Sequence, residues 1–172
     1  MQLLSLMTMP KNDVQVPQGL FKKNVIFLFL AVVFIPYVLW GVADYVVTLK
    51  HKREAFAYFY DKDYATAYRE IMPFAMSGDS ESRYMIGAMT AFGMGTQRDK
   101  MFATQWFSCE GIQGCVNGYN EFRLAQGCFA GDWGKRSDEE CILWVKLSSD
   151  QNYRPASLWL ENYQKKKSSQ AP

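Results

Sequence analysis

Four cysteines, Cys109, Cys115, Cys128 and Cys141, are the side chains of this 172-residue chain best suited to covalent or metal chemistry. Their intervening spacings of 5, 12 and 12 residues are looser than the two-to-four-residue ligand pairs of structural zinc sites. His51 is the single histidine and sits among Lys50, Lys52 and Arg53, which removes most histidine-based catalysis and most zinc sites. An even count of cysteines fits two disulfides in an oxidising compartment, while small buried thiols are the competing reading. The acids Asp138, Glu139 and Glu140 are adjacent, a pattern that favours a helix N-terminus over acid–base work. Neither a phosphate-binding glycine loop nor a nucleophile elbow occurs, and Gly93-Met94-Gly95 reads as a turn. These residues predict no enzyme, no cofactor and no bound metal.

Composition narrows the partner. Hydrophobic residues make up 49% of the chain and aromatic residues 16%, enough for a ring-rich core. The net charge of +2 has no concentrated basic face beyond Lys165, Lys166 and Lys167, which argues against nucleic acid.

Residues 25–49 read VIFLFLAVVFIPYVLWGVADYVVTL, with Asp44 as their only charge, and exceed the ~20 apolar residues needed to cross a bilayer. The expectation is a transmembrane helix over 24–49 that contacts the lipid bilayer, with Tyr37, Trp40 and Tyr45 toward one end as an interfacial belt and Asp44 marking the exit. Pro36 and Gly41 could kink it. A cleaved signal peptide is the alternative, since Gly41 and Ala43 place small residues before Asp44; the long apolar stretch and bulky Trp40 favour an uncleaved anchor. Lys11, Lys22 and Lys23 balance Lys50, Lys52 and Arg53, so charge leaves the orientation open.

Beyond the apolar segment the chain repeats itself. A shift of 36 carries Ala67 onto Ala103 and Gly78 onto Gly114. A shift of 38 carries Ile86-Gly87 onto Leu124-Ala125, Gly93 onto Gly131, Ala103 onto Cys141 and Trp106 onto Trp144. Apolar and small residues recur at three-to-four spacing in each unit, giving one buried helical stripe. Phe92-Gly93 ends a first helix, Asp99 caps a second, and Ala103 with Trp106-Phe107 supplies a close crossing. By this alignment Cys128 and Cys141 face each other across one hairpin, and Cys109 and Cys115 flank a Gly-Ile-Gln-Gly turn, so those are the preferred pairings. Facing helices usually run 8 to 10 Å apart, so the Cys128–Cys141 bridge demands close packing.

The run Ser77-Gly78-Asp79, Met85-Ile86-Gly87, Gly93-Met94-Gly95, Asp99, Ala103 and Trp106-Phe107 resembles the Sel-one-like class of tetratricopeptide-type repeats. The central unit, Gly78 to Gly114, carries the match; Val116 to Asn152 departs from it, with Trp133-Gly134 replacing a clean second glycine and Cys141 replacing alanine. The resemblance covers about 100 of the 172 residues. It implies an all-α fold: a short right-handed α-solenoid of two-helix repeats over 53–165, preceded by one transmembrane helix. A cytoplasmic segment, 1–23, and a disordered tail, 166–172, would flank them. A non-repetitive helical domain is the bland alternative. Such solenoids bind other proteins on a concave face, which nominates Arg83, Tyr84, Met89, Arg123, Gln126 and Phe129 on the first helices and Trp133 in a loop. If the two disulfides form, the repeats face the periplasm, or a comparable lumen, and the protein spans the inner membrane once with its N-terminus in the cytoplasm. It serves there as an accessory or assembly subunit of a membrane complex, as an immunity protein against an envelope-targeted toxin, or as a passive structural tether.

Overall fold

The computed structural model describes residues 18–110 and 114–169, with side chains from Ala31 onward. Among the described residues the chain is all helical, with seven helices and no strand: α1 (Gln18–Tyr60), α2 (Tyr64–Met76), α3 (Ser80–Phe92), α4 (Lys100–Phe107), α5 (Tyr119–Ala130), α6 (Asp138–Asp150) and α7 (Arg154–Ser169). Two compact units divide within α1, the first ending at Thr48 and the second beginning at Leu49.

In the first unit α1 runs unbroken through Pro36 and Gly41. Proline removes one backbone hydrogen bond and leaves the rest of the ladder intact. The described helix from Ala31 is long and apolar enough to cross a membrane, with a mean hydropathy of 1.8 in a window that buries none of its residues. From Val32 to Leu49 its valines, leucines and aromatic rings are exposed, a surface that water does not stabilise.

α1 continues past the expected end at Leu49 to Tyr60, so the sequence boundary near Arg53 lies inside a helix. The reason is local. Glu54 follows Lys50 at i+4 as an ion pair, and no glycine or proline interrupts residues 50–60. This end belongs to the second unit: Ala55 is 3% exposed, Phe56 and Phe59 pack on the core, and Lys52 donates to Asp79 at 2.6 Å.

Side-chain caps set the starts of α2, α3, α4 and α6. Asp63 accepts from the Thr66 amide, Asp79 from the Ser82 amide, Asp99 from the Phe102 amide and Ser137 from the Glu140 amide. The three aspartates each satisfy an amide that the first helical turn leaves without a backbone partner, and Ser137 Oγ adds a second acceptor to the Glu140 amide, which also reaches the Ser137 carbonyl. Gly93 and Gly131 end α3 and α5 in left-handed backbone, with φ of 71° and 85°, where a Cβ is strained. Helices then pack on their chain neighbours: α2 on α3, α3 on α4, α5 on α6 and α6 on α7. Ile71, Ile86, Met89, Phe107, Leu124, Trp144 and Val145 are fully buried between them.

Both expected cysteine pairs are bridged, Cys109 to Cys115 and Cys128 to Cys141, with Cα separations of 5.3 and 5.5 Å. The second joins the last turn of α5 to the first turn of α6, next to the loop that connects them. Its Cα separation of 5.5 Å lies within the span a disulfide requires, so the close packing expected of this hairpin is present. At the other end of the chain α7 stays helical through Ser169, where the tail expected from residue 166 was unstructured. Residues 1–17 and 170–172 lie outside the described residues, as do 111–113 of the turn between Cys109 and Cys115. Residues 18–23 belong to α1.

Gly87 sits at a close crossing of α3 and α4. A Cβ there would lie 2.3 Å from the Phe107 ring, which is itself buried against α3 and Trp144. The gain in helix propensity of ~1 kcal/mol from Gly87→Ala is therefore outweighed by overpacking of about 1–3 kcal/mol. Urea unfolding of the full chain in detergent should show Gly87→Ala less stable than the native protein; a more stable variant would mean that the ring moves freely.

Candidate interaction surface

The expected groove residues divide by burial. Met89 is 0% exposed, Tyr84 4% and Trp133 6%, so these three belong to the core and do not offer a side chain to a partner. Trp133 explains the difference. The loop between α5 and α6 turns its indole inward, where it meets Phe59 of α1 at 5.7 Å, Tyr84 of α3 at 6.0 Å and Phe92 of α3 at 6.1 Å between ring centroids. Gly127 of α5 leaves the room, since a Cβ there would lie 2.6 Å from the indole nitrogen. The chain's own aromatic side chains thus fill the space between α3 and α5 that the sequence reading assigned to a ligand.

What remains exposed around this plug is polar and aromatic. Arg123 donates two bonds of 2.8 Å to Glu81, and its guanidinium stands 3.7 Å above the Tyr84 ring. The Glu81 bonds raise the basicity of Arg123 against the opposing effect of burial. Burial likewise pushes the Tyr84 hydroxyl above its ordinary range, with Arg123 acting against it. Arg83 donates to the Ser108 carbonyl at 3.3 Å and lies over the Trp106 ring at 5.7 Å. Both arginines are held in place by neighbours and remain partly exposed. A planar guanidinium of this kind suits a protein interface.

Gln126 is exposed, and Phe129 is 40% exposed and stacks on Trp159 of α7 at 5.2 Å. Trp159 stacks in turn on Tyr163, again at 5.2 Å and nearly parallel. Arg123, Gln126 and Phe129 follow one another at three-residue intervals along α5, and α7 extends their surface with two further rings. Trp159 and Tyr163 went unrecognised in the sequence, although a spacing of four puts them on one side of a helix.

The acidic run takes the structural role its position implies. Asp138, Glu139 and Glu140 form the first turn of α6, and Glu140 pairs with Arg98. Hydrogen bonds from its own backbone and from Ser137 hold the exposed Glu139 carboxyl below its usual range. At the start of α3, burial raises the Asp79 carboxyl, but the hydrogen bonds from Lys52 and from the Ser82 hydroxyl and amide outweigh it and leave Asp79 lowered. Among the described residues no three His, Cys, Asp or Glu side chains converge on a position that could hold a metal. No protein-family model matches the chain, and no curated protein matches it.

The sequence reading overlooked one acid. Glu121, in the first turn of α5, is 1% exposed; Oε1 accepts from Gln151 Nε2 at 2.7 Å, and Oε2 is buried with no partner. Burial raises its carboxyl above the ordinary range, with the Gln151 and backbone hydrogen bonds acting in the opposite direction. An acid whose folded value lies above its unfolded value opposes folding once ionised, and the penalty vanishes as pH falls below both. Glu121→Gln should therefore gain stability relative to the native chain as pH rises from about 4 to about 8, measured by urea midpoints. A difference that is constant with pH would show that Glu121 carries no such penalty.

Proposed function

We propose that the protein is a membrane-anchored protein-binding module, an accessory or assembly subunit of a membrane complex, in which α1 crosses the bilayer and α2–α7 form a short right-handed stack of Sel-one-like helix pairs. The observation that carries the reading is the recurrence of helix-setting residues at intervals of 36 and 38 residues. The capping residues Asp63, Asp99 and Ser137 stand 36 and 38 residues apart. The terminating glycines Gly93 and Gly131 stand 38 apart. Buried pairs keep the same interval: Ile86 with Leu124, Thr90 with Cys128, Ala103 with Cys141. The Cys128–Cys141 bridge thus occupies the positions that Thr90 and Ala103 hold one unit earlier. Units that cover one another in this way leave outward helix faces as their working surface.

Support for the anchor is the unburied apolar stretch of α1, which a bilayer stabilises and water does not. Support for a periplasmic position of the helix pairs is the two disulfides, which persist in oxidising compartments. The surface that suits a protein partner runs from Arg83 and Arg123 through Gln126 and Phe129 to Trp159 and Tyr163.

Two measurements test the reading. In intact cells with a permeabilised outer membrane, an impermeant maleimide should label the native cysteines only after reductant is added. Labelling only after lysis contradicts the periplasmic assignment, and labelling without reductant contradicts the disulfides that support it. Arg123→Ala and Phe129→Ala should each weaken partner capture by the full-length protein about tenfold, the effect of ~1.4 kcal/mol at an interface anchor, with helical content unchanged by circular dichroism. Undiminished capture by both variants would place the partner elsewhere.

A further inference from the structure

We propose that one face of α1 is a docking seam for a second membrane helix that carries a lysine or arginine at the depth of Asp44. This inference rests on the reading that α1 spans a bilayer. Tyr37, Gly41, Asp44 and Thr48 follow one another at intervals of four, three and four, which places them on one side of a helix. Ile35, Leu39, Val42 and Val46 keep the same intervals on the opposite side and are all aliphatic. All eight are exposed, and a Cβ on Gly41 would meet nothing within 4 Å.

Against a bilayer the two faces have different fates, with Asp44 at the level where the helix leaves the apolar layer. The aliphatic face matches lipid tails. The other carries a carboxylate, two hydroxyls and a glycine, groups that gain from a neighbouring helix because it supplies hydrogen-bond partners and the glycine permits close approach. Charge decides which neighbour. Asp44 is the only charged residue between Val25 and Leu49, and two copies inserted in the same direction and paired on this seam would set Asp44 against Asp44. A partner helix with a cationic side chain at that level removes the conflict and pairs the carboxylate.

The test uses the full-length chain in cell membranes. Alkaline carbonate extraction comes first: a chain released from the membrane overturns the spanning reading and this inference with it. In the resistant chain, a photoreactive residue at Gly41 or Thr48 should give an adduct with another membrane protein, and the same residue at Leu39 or Val46 should not. Mass spectrometry should place the adduct in an apolar segment containing lysine or arginine. Asp44→Leu and Asp44→Lys should lower the Thr48 adduct about tenfold, while Asp44→Glu retains it. Equal adducts from both faces, adducts between two copies of this chain, no adduct at all, or a yield indifferent to Asp44→Leu would each overturn the seam and leave the spanning reading standing.

Discussion

Helices of eight to sixteen residues are marginal in water by themselves, and every helix from α2 to α7 falls in that range. Their existence depends on each one covering the apolar side of its neighbour. The residues at the crossings are accordingly the smallest or the most tightly held: Gly87 against Phe107, buried Ala103 and Ala125, and a covalent bridge between Cys128 and Cys141. Capping by Asp63, Asp79, Asp99 and Ser137 settles where α2, α3, α4 and α6 begin, at ~1 kcal/mol apiece, but burial settles whether they form.

Trp133 shows how the same constraint shapes the surface. A space between α3 and α5 could have been a binding groove, yet the α5–α6 loop delivers an indole into it against Phe59, Tyr84 and Phe92. The chain thereby covers α3 and the end of α1 with its own aromatic rings. What stays exposed beside that plug is rings and guanidiniums: Arg123 is fixed by Glu81 and Tyr84, and Phe129 joins Trp159 and Tyr163 in one stack.

Features set by neighbours in the chain were legible in the sequence. Gly93, Asp99 and the acidic start of α6 follow from local backbone chemistry, and the two cysteine pairings follow from a turn and a hairpin. Features set by distant contacts were not. Trp133 and Met89 read equally well as exposed or buried until the helices that enclose them are in place. Glu121 is ordinary as a letter in a helix start, and only the approach of Gln151 and the surrounding burial make it unusual. The continuation of α1 to Tyr60 was hidden by the change from apolar to charged residues at Lys50, which alters the surroundings of a helix without ending it.

The dependence of each helix pair on the next is tested most directly by native-state hydrogen exchange on the full-length chain and on Trp133→Ala. If the pairs stand only by covering one another, amides in α3, α5 and α6 lose protection together in the variant, by a common opening free energy. Loss confined to the α5–α6 loop, with α3 protected as before, would show that the pairs are stable alone and would contradict the account.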